Sequence, residues 1–391
     1  MRSASKPTIG TTGAGAGSEL RIGLLAPPVE SVPPAAYGGT ERVVSALADA
    51  LVAHGHDVVL FASGDSRTSA TLVPLVDRAL WHDERYSSDL PFRLSSACDA
   101  YDRARELEID VMHSHADLFA FPEARHAAIP TVSTLHGRLD LPELTPFLAR
   151  FADHPLVAVS EAQRAPLPGA TWIATVHHGL PLERFRPGTG EGGYLAFCGR
   201  MVPEKGVVEA IAIARRAGLP LRIAARTPRP HLGDRGLHLE WEFYRDIVRP
   251  LIDASTDVEW LGDLRDADKG RFFGDALGLV FPIDWPEPFG LVMIEALACG
   301  TPVVARPRGA VPEIVRPGRT GLLGESLDEL VAAARRLPEI DRAACRADFE
   351  RCFSAERMAA DYERVYGWVV DRDPRRSDRE PLERIETAAA G

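Results

Sequence analysis

The chain has 391 residues, and because a domain typically holds roughly 150, this length predicts two or three domains. Hydrophobic residues make up 45% and charged residues 26% of the sequence, a composition that excludes disorder as the dominant state. The formal net charge of −11 repels phosphate backbones, which excludes nucleic acid as the main partner and requires a local site for any bound anion.

Residues 1–19 are interpreted as a flexible leader, since they are rich in Gly, Ala, Ser and Thr. They lack the apolar core of a secretory signal, and no later apolar run reaches the roughly 18 residues that a membrane span needs. The five cysteines are widely spaced and form neither a disulfide framework nor a zinc motif. We expect a cytoplasmic protein with no membrane span and no structural metal.

Residues 20–187 are predicted to form a first α/β domain. The apolar run at 20–26 is typical of a buried parallel strand, and a loop follows it. A helix then begins, with Thr40 as its expected N-cap, and ends near Gly55. The alternation continues with a helix at 91–107 and strands at 57–62, 109–114, 131–135 and 156–160. Strands that alternate with helices predict a parallel, doubly wound sheet.

The glycine-rich segment 188–193 is the predicted hinge, because it interrupts the periodicity directly before a new apolar strand. Residues 188–353 are predicted to form a second α/β domain, with helices at 207–217, 268–275 and 291–299 and strands at 194–198, 221–225, 258–261, 277–282 and 302–305. A final helix is predicted at 354–370. The tail at 371–391 mixes both charges and is expected to be loose.

The most informative motif is the run Glu-Pro-Phe-Gly-Leu-Val-Met-Ile-Glu, which begins at Glu287 and ends at Glu295. Glu295 lies in an otherwise apolar helix, where an ionised carboxylate costs several kcal/mol unless donors surround it. The hydroxyl groups of a ribose or hexose are suitable donors, and the helix N-terminus near Gly290 suits a phosphate. The alternative is a helix-start acid at Glu287 and a Glu295 that is satisfied by backbone amides.

A second motif, Gly-Arg-Met-Val-Pro-Glu-Lys-Gly, directly follows the first strand of the second domain. Ligands of open α/β sheets bind beyond the carboxyl ends of the strands, which places Arg200 and Lys205 at that edge. Two cations there suit a diphosphate and would stabilise a leaving group whose negative charge grows. The alternative is a solvated charged loop.

Two shorter motifs lie in the first domain. Tyr-Gly-Gly-Thr at 37–40 precedes a helix, so the backbone of Gly38 and Gly39 can face an anion or a sugar, although the glycines also suit a simple turn. Thr-Leu-His-Gly at 134–137 places His136 at the end of a strand, where a histidine is either structural or part of a cleft.

These four motifs, in this order, resemble those of the family 4 glycosyltransferases, and the similarity extends over nearly all of residues 21–370. The resemblance implies the GT-B fold, in which two Rossmann-like, doubly wound parallel-sheet domains face a central cleft. It implies retaining transfer of a hexose from a nucleotide-diphosphate sugar, with no metal or other cofactor. It also implies that the final helix crosses back to the first domain.

The resemblance assigns a role to each site residue. The residues implied in catalysis are His136, Arg200, Lys205 and Glu287. The residues implied in donor binding are Gly38, Gly39, Leu264, Asp266, Lys269, Phe289, Gly290, Leu291, Val292 and Glu295. Because no nucleophile is evident, we expect no covalent intermediate; the acceptor attacks on the face from which the diphosphate departs, and the diphosphate takes the acceptor's proton.

One segment departs from the family pattern. Residues 226–241 are longer and more basic than the family leads us to expect, and we interpret them as a solvated loop. The alternative is that Arg226, at a strand end, reaches the nucleotide.

The sequence leaves the base (UDP, GDP, ADP or dTDP), the sugar, the acceptor (a small molecule, a saccharide or a lipid-linked group) and the oligomeric state open. One alternative is a nucleotide-sugar epimerase or a phosphorylase on the same scaffold; a phosphorylase needs a pyridoxal-binding lysine, and the chain has only Lys6, Lys205 and Lys269. The other is a non-catalytic protein that binds sugar nucleotides.

Overall fold

Two parallel β-sheets organise the part of the chain that the structure describes. The computed structural model describes residues 19–35, 38–82, 88–226, 228 and 235–373. The expected leader and most of the expected loose tail therefore lie outside the described residues. None of the described helices is both long and apolar enough to cross a membrane.

Within the described residues, thirteen strands form the two sheets. They are β1 (Arg21–Leu25), β2 (Asp57–Ser63), β3 (Thr71–Val76), β4 (Val111–Ser114), β5 (Thr131–Thr134), β6 (Leu156–Ala158), β7 (Trp172–Thr175), β8 (Leu195–Cys198), β9 (Leu221–Ala224), β10 (Val258–Gly262), β11 (Gly278–Phe281), β12 (Val303–Ala305) and β13 (Gly321–Leu323). The first sheet has the order β3-β2-β1-β4-β5-β6-β7 and the second the order β10-β9-β8-β11-β12-β13.

Helices connect the strands and cover both sheets. They are α1 (Gly39–Ala53), α2 (Leu90–Glu106), α3 (Phe121–His126), α4 (Leu144–Arg150), α5 (Glu161–Arg164), α6 (Val207–Ala217), α7 (Arg235–Phe243), α8 (Arg249–Asp253), α9 (Asp266–Gly274), α10 (Leu291–Ala298), α11 (Val311–Ile314), α12 (Leu327–Arg336), α13 (Arg342–Cys352) and α14 (Ala355–Asp371). The predicted fold class, two doubly wound α/β halves, is confirmed.

The start of α1 corrects one prediction. The helix begins at Gly39, and its N-cap is Gly38 rather than Thr40. Gly38 has a φ of 145°, a conformation that residues with a side chain rarely adopt. No side chain caps the helix, so its first N–H groups remain available to a ligand.

The predicted hinge segment is bound to the second half. The backbone N–H groups of Gly188, Gly190 and Gly192 donate to carbonyls of residues 299, 274 and 275 at 3.0, 2.9 and 2.9 Å. The chain crosses between the halves a second time beside Leu180, whose N–H donates to the carbonyl of Phe353 at 2.9 Å. Both connections therefore run side by side.

Helix α14 follows the second connection and packs against the first sheet. Its apolar face, which includes Met358, Val365 and Val369, is buried in one cluster with residues of β1, β2 and α1. The hydroxyl of Tyr362 lies 3.0 Å from Oγ1 of Thr134, on β5. Each large apolar side chain contributes about 1.5–3 kcal/mol on burial, so these contacts hold α14 against the first half.

Candidate active site

A cavity of about 350 Å³ lies between the two halves, at the carboxyl ends of the central strands. A volume of this size suits a small-molecule ligand. The predicted site residues that line it are Gly38, Gly39, His136, Arg200, Lys205, Leu264, Lys269, Glu287, Phe289, Gly290, Leu291, Val292 and Glu295. Asp266 is the first residue of α9, and its side chain lies outside the described part of the structure.

Lys205 and Glu287 form a nearly buried ion pair on the cavity wall. The Nζ of Lys205 lies 2.5 Å from Oε2 of Glu287, and Nε1 of Trp285 donates to the same oxygen at 2.9 Å. The ammonium also lies 4.4 Å from the ring centre of Trp285, within the range of a cation–π contact. Lys205 is therefore not part of a solvated loop, and Glu287 is not merely a helix-start acid.

Backbone geometry sets the position of Lys205. It ends a short 3₁₀ turn, and the next residue, Gly206, has a φ of 75°. A Cβ at Gly206 would lie 2.4 Å from the carbonyl oxygen of Pro282, so no other residue fits there without a shift of the backbone. The glycine thus brings the lysine against the end of β11.

Glu295 obtains its donors from two cations rather than from backbone amides. Its carboxylate oxygens lie 3.1 and 3.3 Å from Nζ of Lys269, and Nε of Arg42 lies 3.7 Å away. Burial opposes the ionisation of Glu295, but Lys269 and Arg42 outweigh it and hold the pKa of this carboxyl below its ordinary value. Glu295 is therefore an anion held from both halves, because Arg42 belongs to α1 and Lys269 to α9.

The N-termini of α1 and α10 meet at the cavity. Both helices have a glycine N-cap and no side-chain cap, Gly38 in α1 and Gly290, with a φ of 85°, in α10. The approach is close, since a Cβ at Gly39 would lie 3.3 Å from Cδ1 of Leu291. Free N–H groups and the positive ends of two helix dipoles favour an anion between them.

Arg226, at the start of the segment 226–241, also reaches this site, so the solvated-loop interpretation is wrong for this residue and the alternative, a contact with the ligand, is favoured. Arg226 lines the cavity and donates through Nη2 to Oε2 of Glu240 at 2.8 Å. Glu240 is on α7, and its side chain is only 1% exposed. Nη1 of Arg200 lies 3.9 Å from the same oxygen. Residues 227 and 229–234 of the segment lie outside the described residues.

Arg226 also contacts the first half. Its guanidinium carbon lies 4.8 Å from the ring centre of Trp81, which is 41% exposed. Stacking of this kind is common between arginine and tryptophan. The contact places Arg226 between Glu240 of its own half and an aromatic residue of the other.

His136 lies on the cavity wall of the first half. Its Nε2 is 2.9 Å from Nδ1 of His115, and its ring stacks on that of His178 with 5.2 Å between ring centres. Burial lowers the pKa of His136 to about 4, so this imidazole is neutral at pH 7. The strand-end histidine is thus part of the cleft and also of a buried histidine cluster.

Among the described residues, the charged groups on the cavity wall have an excess of positive charge. Five cations of this part of the chain line it, namely Arg42, Arg200, Lys205, Arg226 and Lys269, and so do three carboxylates, Asp263, Glu287 and Glu295. On a chain of net charge −11, this is the local anion site that the composition requires.

Motif reasoning missed several of these residues. Arg42 stands one turn beyond the paired glycines, a position from which an α-helical side chain faces the same end of the helix, so its position was a usable signal. Trp285 directly precedes the Pro-Glu-Pro-Phe-Gly motif, and an indole next to a charged site was a second signal. Nothing in the sequence pairs Glu240 with Arg226.

Family models match most of the chain. Residues 37–184 match the model described as Glycosyltransferase Family 4, and residues 192–339 match the model described as Glycosyl transferases group 1. The chain belongs to the family 4 glycosyltransferases. One matched region of this glycosyltransferase lies in its first half and the other in its second half. Residues of both regions line the cavity.

Individual proteins agree with this assignment. The chain is 28% identical over 369 residues to a glycogen synthase of Mycobacterium tuberculosis, covering 80% of this chain and 86% of that protein. Among solved structures, AviGT4, a glycosyltransferase involved in avilamycin A biosynthesis, is 24% identical with a TM-score of 0.67 and covers 90% of this chain and 98% of its own. Anabaena Alr3699/HepE, in complex with UDP-glucose, is 18% identical with a TM-score of 0.66, covering 89% of this chain and 99% of its own. These structures support the GT-B fold.

Proposed function

We propose that this glycosyltransferase moves a hexose from a nucleotide-diphosphate sugar to an acceptor hydroxyl, with retention at the anomeric carbon and without a metal ion. The observation that carries the proposal is the convergence of Arg200, Lys205 and the N-termini of α1 and α10 on one cavity. A diphosphate is the common ligand group that satisfies two cations and two helix N-termini together.

The leaving group is stabilised by these same groups. When the bond between the anomeric carbon and the phosphate oxygen breaks, its electron pair stays on the diphosphate, and Arg200 and Lys205 face that growing charge. Side-chain cations and helix dipoles then supply the positive charge that the step requires, which supports transfer without a metal.

The remaining residues orient the donor. Glu295, held as an anion by Lys269 and Arg42, accepts from two hydroxyls of the ribose. Glu287 and the backbone near Gly290 bind hydroxyls of the hexose, and His136 contacts the hexose from the first half. The acceptor hydroxyl attacks on the face from which the diphosphate departs, and its proton passes to a diphosphate oxygen.

Two geometric features favour transfer over the alternatives. Lys205 and Lys269 each lie within 3.3 Å of a glutamate oxygen, which favours charged ammonium groups over the neutral amine that a Schiff base with pyridoxal requires. The cavity is lined by both halves, as an enzyme that brings donor and acceptor together requires.

The donor is tested first by thermal shift with UDP-, GDP-, ADP- and dTDP-glucose. UDP-glucose leads the panel because Alr3699/HepE is a structural neighbour solved with it. A ligand at 100 times its Kd adds about 2.7 kcal/mol of stability, which gives a clear rise in Tm. No shift with any donor would contradict the proposal.

The reaction is tested next with the donor that binds. Release of the nucleoside diphosphate is measured with a panel of saccharide, polyol and lipid-linked acceptors, in buffer with and without EDTA. The anomeric configuration of the product is determined by proton NMR. We expect a retained configuration and equal rates in both buffers; an inverted product contradicts retention, and loss of activity in EDTA contradicts metal independence.

A further inference from the structure

Four imidazoles form a contiguous cluster that runs from the core of the first half to the cavity. Ring centres are 4.0 Å apart between His113 and His115, 5.1 Å between His115 and His136, and 5.2 Å between His136 and His178. His113 lies in β4, and the other three histidines follow the carboxyl ends of β4, β5 and β7, with β6 between the last two strands. His136 and His178 line the cavity, whereas His113 and His115 are fully buried behind them.

The buried end of the cluster is fixed by helix α14. Nδ1 of His113 is 2.8 Å from the hydroxyl of Tyr366, and its Nε2 is 2.7 Å from Oγ1 of Thr134. Both nitrogens of His113 are therefore occupied. The ring of His115 packs against this fixed ring, and within the described part of the chain its one hydrogen bond joins Nδ1 and Nε2 of His136, 2.9 Å apart.

A hydrogen bond between two neutral imidazoles needs one donor and one acceptor. Burial lowers the pKa of His115 and His136, and neighbouring histidines lower that of His115 further, so both rings are neutral at pH 7. Each ring then carries a single proton, and the direction of the hydrogen bond decides which nitrogen holds it on both rings.

The second nitrogen of His115 decides the direction. Its Nε2 is buried and has no hydrogen-bond partner in the described part of the chain. If Nδ1 accepted, Nε2 would carry a buried N–H without an acceptor, and orphaned buried N–H groups are the rarest and costliest case. If Nδ1 donates, Nε2 keeps only a bare lone pair.

We propose that His115 is a positioning residue that donates its Nδ1–H to Nε2 of His136 and so holds the proton of His136 on Nδ1. Among the described residues, Nδ1 of His136 has no protein partner, and it is the ring nitrogen left for the cavity. His136 therefore presents an N–H donor to its ligand and has no lone pair there with which to act as a general base.

The tautomer of His136 determines which type of ligand atom this residue can bind. An N–H group of a neutral imidazole binds an oxygen lone pair, such as that of a sugar hydroxyl or ring oxygen. That the oxygen belongs to the donor hexose rests on the proposed function. The tautomer itself does not, because His115 and His136 set it without a ligand.

The tautomer is measured on the ligand-free protein. Protein labelled with ¹⁵N-histidine is studied at neutral pH by long-range proton–nitrogen correlation, with His136→Gln used to assign the resonances. We expect a protonated Nδ1 and a bare Nε2 on His136. His115→Leu, which cannot donate, is expected to shift His136 to the other tautomer and to lower kcat/KM at least about tenfold, the loss of one good hydrogen bond.

Two further variants keep the test decisive. His115→Asn places an amide N–H near the position of Nδ1 and is expected to restore both the tautomer and the activity. His154→Gln changes a buried histidine away from the cluster and should alter neither. If His115→Leu does not fold, the wild-type spectrum and the His115→Asn variant still test the proposal.

A wild-type His136 protonated on Nε2, or a His115→Leu protein that keeps the wild-type tautomer, would overturn the proposal. The spectra need no sugar nucleotide, so a protein that shows the expected tautomer but binds no donor would contradict only the proposed function.

Discussion

Arg42 and Glu295 meet across the cleft, with Nε of the arginine 3.7 Å from a carboxylate oxygen of the glutamate. Their side chains are 3% and 4% exposed, so the pair is excluded from water although it joins the two halves of the chain. A buried charge that loses its partner costs much more than an exposed one. The position of α1 against α10 is therefore coupled to the electrostatics of the proposed ribose site.

Removal of Arg42 tests this coupling. We expect Arg42→Met to lower the free energy of unfolding by about 3 kcal/mol, because Lys269 alone then compensates the buried carboxylate. The measurement is urea denaturation, and the matched control is Arg103→Met, whose pair with Glu106 is more than half exposed. The control should lose less than about 1 kcal/mol. Equal stability of the two variants would show that the cross-cleft pair does not matter.

Glu240 holds two cavity arginines from behind, through Arg226 at 2.8 Å and Arg200 at 3.9 Å. We expect Glu240→Gln to raise the donor KM about tenfold and also to lower kcat, because a weaker hydrogen bond leaves both guanidinium groups less well oriented for the bound and for the departing diphosphate. Steady-state kinetics measures the effect.

Glu242→Gln is the matched control for this experiment, since Glu242 lies on the same helix with its side chain 42% exposed. The control should keep the wild-type KM. A Glu240→Gln enzyme with the wild-type KM would mean that the two arginines are held by other contacts.

The sequence predicts the parts of this molecule that depend on local pattern. Buried parallel strands are continuous apolar runs, and the site motifs follow such runs, so the central strands and most of the cavity wall could be identified. The strands β3, β7 and β13 were missed, and each lies at an edge of its sheet. In β3, Pro74 interrupts the apolar run, and a proline argues against a strand.

Contacts between distant segments could not be predicted. Lys205 and Glu287 are 82 residues apart, and they meet because β8 and β11 are neighbours in the sheet, which neither motif reveals. The N-cap of α1 was also misassigned. Threonine is the better cap by propensity, but the residue in front of the helix has a φ of 145°, and a Cβ there would lie 2.6 Å from Cβ of Pro34, so glycine takes this position.

His154 gives a prediction for the pH dependence of stability. It is buried, with Nε2 2.8 Å from Oγ of Ser133, and burial lowers its pKa to about 4. An unfolded histidine titrates near pH 6.5. Between these values only the unfolded chain binds the proton, so the free energy of unfolding falls as the pH drops below 6.5 and levels off below 4.

The effect of this one residue at pH 5 is about 2 kcal/mol relative to pH 7.5. His154→Gln removes it, so the difference in stability between pH 7.5 and pH 5 should shrink by about that amount. Other buried histidines still contribute to the pH dependence of the free energy of unfolding in the variant. Urea denaturation at the two pH values gives both differences, and an unchanged difference would mean that His154 titrates normally in the folded protein.

Lys205 is expected to act on the leaving group, and its pair with Glu287 makes a simple substitution ambiguous. Lys205→Met removes a cation, but it also leaves a buried carboxylate without its ionic partner. We expect this variant to lose at least about 100-fold in kcat/KM. The missing cation alone, or the unpaired carboxylate alone, would lower kcat/KM.

The double variant Lys205→Met with Glu287→Gln separates the two causes, because it contains no unpaired carboxylate. If Lys205 stabilises the departing diphosphate, the double variant stays at least about 100-fold below Glu287→Gln alone in kcat/KM. If the loss comes from the unpaired carboxylate, it recovers to the level of Glu287→Gln alone. Arg216→Met, which removes a cation 46% exposed and distant from the cavity, should keep full activity. Recovery of the double variant would therefore rule out the leaving-group role of Lys205.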